Sequence, residues 1–299
     1  MEFRTIVDIQ DPGFRIGPCE EMLFVGSCFA DSIGRRFREE AFPVTVNPFG
    51  TMYNPASILH TLQKLTPSPF STAFLTLGTN HVYRLKETGE IVDNCQKRPQ
   101  SLFVEEKLSV DACADYLQQA VTILRQMNPQ MHIVLTVSPI RYRKYGYHGS
   151  RLSKATLLLA ADQLLSRADT VSDTIAASDT RATSHPSVTS HPRVTSHPSL
   201  AYFPAYELLS DELRDYRFYA EDMLHPSAQA VDYIWERLVD AWFSPEAKTF
   251  LDEWRPVRRA LGHKPFHPDS PEYIRFLEQT RQKLLALQKK YPSLKTFEL

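Results

Sequence analysis

Five short apolar runs alternate along this chain with longer stretches of helical spacing, and no other feature narrows the fold as much. The runs cover residues 22–25, 44–46, 73–77, 132–137 and 201–203. Each is too short for a stable helix, and each stops at a turn-former: Gly26, Asn47, Gly78, Ser138 or Pro204. Between them, residues 31–39, 55–65, 108–127 and 152–168 carry apolar side chains at helical intervals. After His225, Pro226 suits the first position of another helix, because that position needs no N–H donor. Val231, Ile234, Trp235, Leu238, Val239 and Trp242 then share one helix face. Parallel strands need long crossover connections, which helices supply. The pattern predicts an α/β fold, with a mainly parallel sheet covered by helices on both faces. A small hairpin is expected from residues 82–85 and 91–92 around the turn at 87–89.

This pattern fills residues 1–243, the expected main domain. Residues 244–299 read as a helical extension, with helices over 245–261 and 271–291 and a Pro-rich break between them. Residues 183–200 interrupt the domain with three copies of a six-residue unit built on Thr-Ser-His-Pro. Proline imposes extended backbone and the Ser/Thr content gives no core, so an inserted flexible loop is expected there.

A formal net charge of −1 gives no field that would draw the chain to nucleic acid or to a membrane surface. The local cluster Arg141-Tyr142-Arg143-Lys144 can still meet an anionic substrate group. No 18 consecutive residues are apolar, so no membrane span is expected. Met1-Glu2-Phe3-Arg4-Thr5 lacks the basic-then-apolar design of an export leader, and a cytoplasmic location is expected. Cys19, Cys28, Cys95 and Cys113 are scattered without metal-ligand spacing. Neither a disulfide framework nor a metal or other cofactor is expected, and the sequence sets no oligomeric state. Cys19 and Cys113 read as small core residues.

Three constellations carry chemistry. In Gly26-Ser27-Cys28, a buried strand turns sharply into a helix at the carboxyl edge of the sheet, where open α/β folds bind ligands. The helix N-terminus favours negative charge and would stabilise a Cys28 thiolate; alternatively Ser27 is a helix cap and Cys28 a buried thiol. In Asp222-Met223-Leu224-His225, the carboxylate can hold one imidazole nitrogen and leave the other free as a base; equally, Asp222 can be a cap and His225 a solvent-facing side chain. In Gly78-Thr79-Asn80, the glycine allows close backbone approach and the Asn80 amide can donate to an oxyanion, with the Gly50 N–H placed beside it.

Gly-Ser-Cys-Phe-Ala at 26–30 resembles the motif that names the GSCFA-domain family, which is similar to the SGNH (GDSL-like) hydrolases. The likeness continues through Val46-Asn47-Pro48-Phe49-Gly50, Asn94-Cys95, Ser138-Pro139-Ile140-Arg141, Leu152-Ser153-Lys154-Ala155-Thr156 and residues 211–227. The resemblance implies a three-layer, flavodoxin-like sheet and a serine-esterase-type site. The nucleophile position of those hydrolases maps onto Cys28, with Ser27 as fallback, and their Asp-x-x-His onto Asp222 and His225. Their oxyanion groups map onto Gly50, Gly78 and Asn80. Three departures stand out: Ser27 and Cys28 replace Asp and Ser, and His81 follows Asn80 where those hydrolases usually carry Asp.

The expected chemistry is therefore acyl transfer to water. Cys28 attacks an ester or thioester of a small molecule, such as an acylated carbohydrate, His225 takes the proton and Asp222 orients His225. An acyltransferase on the same site, or a silent module that binds a carbohydrate or acylated ligand, are the alternatives. Cys95 reads as structural.

Overall fold

The computed structural model describes residues 3–93, 95, 98–178 and 199–294. Among the described residues, eight strands form in chain order: β1 (Met22–Gly26), β2 (Val44–Val46), β3 (Thr72–Leu77), β4 (His81–Leu85), β5 (Ile91–Val92), β6 (Phe103–Lys107), β7 (His132–Val137) and β8 (Leu200–Tyr202). The main sheet has the order β2-β1-β3-β7-β8, and every pairing in it is parallel. A second, antiparallel sheet of order β5-β4-β6 branches from the end of β3. The helices are α1 (Cys28–Glu39), α2 (Pro55–Lys64), α3 (Val110–Met127), α4 (Gly146–Ser178), the single turn α5 (Ala205–Glu207), α6 (Ala228–Trp242), α7 (Pro245–Leu261) and α8 (Pro271–Lys290). This is the α/β three-layer architecture the alternation implies.

Strand parity explains why the central strands look continuously apolar. Met22 and Phe24 of β1, Phe74 of β3 and Val134 of β7 join one core with α1, α6 and α7. Leu23 and Val25, Ala73, Leu75 and Leu77, and Ile133, Leu135 and Val137 face the opposite way, into a core with α2, α3 and α4. Side chains alternate across a strand, so burial on both faces removes any polar alternation. Each such buried Leu or Phe contributes roughly 1.5–3 kcal/mol. On the first face Phe37 is the hub, packing edge-on against Trp235 and Phe42 and tilted against Phe24.

The extension packs onto that same core. Phe250, Trp254 and Val257 of α7 and Leu284 and Leu287 of α8 belong to the cluster that holds Phe42 and Trp242. The Trp254 indole donates to the Glu39 carbonyl at 2.9 Å, and Arg258 pairs with buried Glu40. Among the described residues, no helix is long and apolar enough to cross a membrane.

Several boundaries differ from the sequence reading. Pro226 is not the first helical residue: Ser227 caps α6, accepting the Ala230 N–H at 3.2 Å, and Pro226 precedes the cap. β6 was not expected, because Phe-Val-Glu-Glu-Lys shows no clear alternation. Its strand character comes from its partner: Glu105 meets Tyr83 and His81, and Glu106 pairs with Arg84. The Thr-Ser-His-Pro repeat lies outside the described residues except for Ser199 and Leu200, and Leu200 already opens β8.

The chain lays β2 on one side of β1 and then crosses to lay β3 on the other. Neighbouring helices, α1 and α2, cover opposite faces at that switch, the place where open α/β sheets bind ligands.

Candidate active site

β1 ends in Gly26, with φ +141°, packed so tightly on β3 that a Cβ would lie 2.2 Å from the Thr76 carbonyl oxygen. Only glycine permits that approach. The next residue, Ser27, is fully buried. Its hydroxyl caps α1 by accepting the Phe29 N–H at 3.2 Å, and it lies 3.1 Å from the Thr76 hydroxyl. Ser27, expected as the fallback nucleophile, therefore presents no exposed oxygen in this structure. Cys28 follows as the first residue of α1 and is partly exposed. The first-turn N–H groups of a helix have no intrahelical acceptor, and among the described residues the Cys28 N–H takes none.

The Cys28 sulfur lies 3.6 Å from the Tyr53 hydroxyl. Burial, and then the sulfur itself, push the Tyr53 phenol up to about 12. It therefore stays protonated at neutral pH and can donate to sulfur or to an oxygen beside it. By contrast, burial alone pushes the Cys19 and Cys113 thiols up to about 12. Iodoacetamide at pH 8 is thus expected to label the partly exposed Cys28 at least about 10-fold faster than either of these buried, protonated thiols. Peptide mapping of the adducts checks this, and equal labelling of the three would refute it.

The second half of the site is local. Asp222 accepts the backbone N–H of Leu224 at 2.9 Å and of His225 at 3.0 Å with one oxygen, and its other oxygen meets His225 Nδ1 at 2.5 Å. These bonds, led by the His225 backbone, hold the Asp222 carboxyl down at about 2. The carboxylate keeps its grip on the ring through the mildly acidic range and loses it only as pH falls through that lowered value. Met223 takes φ +58° to close the turn.

One strand-end segment links the halves. After β7, the Arg141 N–H donates to the Leu224 carbonyl at 3.0 Å and its guanidinium to the Met223 carbonyl at 3.2 Å. The next side chain, Tyr142, packs edge-on against Tyr53 with ring centroids 6.0 Å apart. Cys28 and the Asp222–His225 turn thus attach to adjacent residues at the same edge of the sheet. The sulfur's hydrogen-bond partner is Tyr53, and among the described residues no Cys28–His225 hydrogen bond forms.

The expected oxyanion groups are committed elsewhere. The Gly50 N–H closes its own turn onto the Asn47 carbonyl at 2.9 Å. The Gly78 N–H donates to the Tyr53 carbonyl at 3.0 Å. Asn80 is buried, and its amide nitrogen donates to the Leu108 carbonyl at 2.7 Å. The Gly50 and Gly78 N–H groups and one N–H of the Asn80 amide thus serve as structural ties. Cys95 is partly buried, with its carbonyl accepting the Arg98 N–H at 2.9 Å; Asn94, Gln96 and Lys97 lie outside the described residues.

Sequence reasoning missed Tyr53 and gave Lys154 no role. Nothing local marks Tyr53. Lys154 carried a readable signal: it falls on the stripe of α4 that also buries Ser150, Leu157, Ala161 and Leu164. Its amine donates to the Gly78 and Ser138 carbonyls, both at 2.7 Å, tying the ends of β3 and β7 together. Burial pushes this amine well below the usual lysine range. Among the described residues, no three His, Cys, Asp or Glu side chains stand close enough to hold a metal ion.

Remote likenesses accompany this layout. The chain is similar to a family 3 carbohydrate esterase from Talaromyces cellulolyticus, with 8% identity over 78% of this chain and 99% of that one and a TM-score of 0.41. It is similar to a lipolytic G-D-S-L family member from Veillonella parvula, with 11% identity, coverage of 75% and 98% and a TM-score of 0.39. A family 3 carbohydrate esterase of Clostridium thermocellum shows 11% identity, coverage of 82% and 99% and a TM-score of 0.37. No curated protein matches the chain. A model described as GSCFA domain protein, C-terminal domain, matches residues 254–298. The model of the GSCFA family matches residues 21–73 and 68–238, most of the chain and every motif at this sheet edge, and the chain therefore belongs to the GSCFA family.

Proposed function

We propose that this protein hydrolyses acyl esters of small molecules through a Cys28 nucleophile. The observation that carries the reading is the Asp222–His225 hydrogen bond in a turn pinned, through Arg141, beside the Tyr142–Tyr53 contact that reaches Cys28. Asp222 fixes the ring with Nδ1 toward itself and leaves Nε2 as the base. Catalytic hydrogen bonds often tighten only when substrate binds, so the base meets the sulfur in the substrate complex.

In the first half-reaction His225 takes the Cys28 proton and sulfur attacks the ester carbonyl carbon. The tetrahedral oxyanion is held by the Cys28 N–H and the Tyr53 hydroxyl, both preorganised at the start of α1. As the C–O bond breaks, the alkoxide leaves with the proton from His225, and a thioester remains on Cys28. In the second half, His225 deprotonates water, which attacks the thioester; the acid departs and the thiol is restored. An acceptor hydroxyl in place of water would make the same site a transferase.

The test is a rapid-mix reaction with a short-chain acyl nitrophenyl ester, quenched in acid and read by peptide mass. The expected result is one acyl adduct, on Cys28. Release of nitrophenol with no adduct there, or no turnover of any ester or thioester, overturns the reading; the second outcome favours a silent binding module.

A further inference from the structure

Beside the proposed site lies a cavity of about 260 Å³, bounded by the segment after β7, the first turns of α4 and the stretch from Tyr206 to Tyr219. At ~30 Å³ per liquid water, that is space for about nine waters, enough for a carboxylate or phosphate group and part of the molecule that carries it. Its chemistry is one-sided. Arg141, Arg151 and Lys154 line it, with three tyrosines and two serines, and none of its lining residues is Asp or Glu.

The two guanidiniums are held in place without being neutralised. Arg141 lies between the rings of Tyr147 and Tyr219, 4.6 and 5.0 Å from their centroids. Arg151 donates to the Tyr206 hydroxyl and lies over that ring. Among the described residues, neither forms an ion pair with a carboxylate. The nearby acids are engaged elsewhere: Asp211 accepts from the Ser210 hydroxyl, and Glu207 accepts from Tyr202. Two like charges facing one cavity repel each other, and an anion between them removes that repulsion. A guanidinium presents a planar fork of donors that matches carboxylate or phosphate oxygens. Arg141 also grips the turn that carries His225, so an anion seated here is fixed relative to the proposed base.

We propose that this cavity binds the carboxylate or phosphate of an anionic substrate, making the enzyme selective for esters that carry an acidic group. The inference rests on the hydrolytic reading of Cys28 and His225. Arg151 is its specificity determinant, since Arg141 also anchors the His225 turn.

The test compares kcat/KM for three acetyl esters of similar shape: methyl 4-acetoxybenzoate, 4-acetoxybenzoate and 4-acetoxyphenyl phosphate. At least a 10-fold preference for one or both anionic esters over the neutral one is expected, and the better of the two identifies the group. Arg151→Gln should reduce that preference to within about 2-fold, chiefly through KM, while Arg151→Lys restores part of it. Arg275→Gln, on exposed α8, should leave all three values unchanged. Equal turnover of the three esters by an active wild type overturns the proposal. If no ester is turned over at all, the hydrolytic reading fails separately, and calorimetry with 4-hydroxybenzoate and inorganic phosphate decides the cavity. Binding that Arg151→Gln abolishes then supports an anion site, and no binding overturns it.

Discussion

Alanine at Cys28 is expected to lower kcat for a short-chain nitrophenyl ester by at least about 1,000-fold, as loss of a nucleophile does in comparable acyl-transfer sites. His225→Ala should fall by a similar factor, because the thiol then loses its base, and the double variant should be little worse than either single one. Ser27→Ala is the informative contrast. Its hydroxyl is buried and spent on capping α1, so activity should stay within about 10-fold while stability drops by about 1 kcal/mol. Steady-state kinetics and denaturant melts on the same preparations separate the two effects. A Ser27→Ala enzyme that folds normally and is dead, beside an active Cys28→Ala enzyme, would reverse the assignment.

The largest stability effect is expected at Lys154. Lys154→Met keeps the length and the apolar stem but leaves the Gly78 and Ser138 carbonyls without their donor. Losing two buried hydrogen bonds from one amine costs about 3 kcal/mol, on the order of 5–10 °C in melting temperature for a chain of this size. The pH dependence carries a sign. Burial lowers the folded-state value of this amine below its unfolded value of 10.5, so the unfolded chain holds more protons between the two. Stability linked to Lys154 is complete above 10.5 and is lost as pH falls through the lowered value. The variant should flatten that slope. Calorimetric scans at several pH values check both points, and a Lys154→Met variant as stable as wild type at every pH would show that the amine ties nothing together.

Both effects turn on the carboxyl edge of the main sheet, where three kinds of support converge. Gly26 lets β1 and β3 approach closely enough to aim Cys28 outward. Lys154 joins the ends of β3 and β7. Arg141 carries that order across to the Asp222–His225 turn. The turn is itself largely exposed, with side-chain exposures of 45% for Asp222 and 44% for His225, so its position depends on this anchoring more than on packing.

Local chemistry in the sequence was enough to predict the layered fold, and it offered the capped bend at Ser27 and the pairing of Asp222 with His225 each as one of two readings. In each case the interacting groups are a few residues apart, or the burial of a strand writes itself into consecutive side chains. Tertiary structure alone decided which N–H groups remained available. The Gly50 and Gly78 N–H groups and one N–H of the Asn80 amide go to the carbonyls of Asn47, Tyr53 and Leu108, and two of those three partners lie more than 20 residues away in the chain. The same holds for β6, whose polar residues become a strand only beside β4. It holds for Tyr53, which reaches the sulfur from a loop with no distinguishing pattern. A hydrogen-bond donor can be counted from sequence, but its acceptor is fixed by whichever distant backbone the fold brings within about 3 Å.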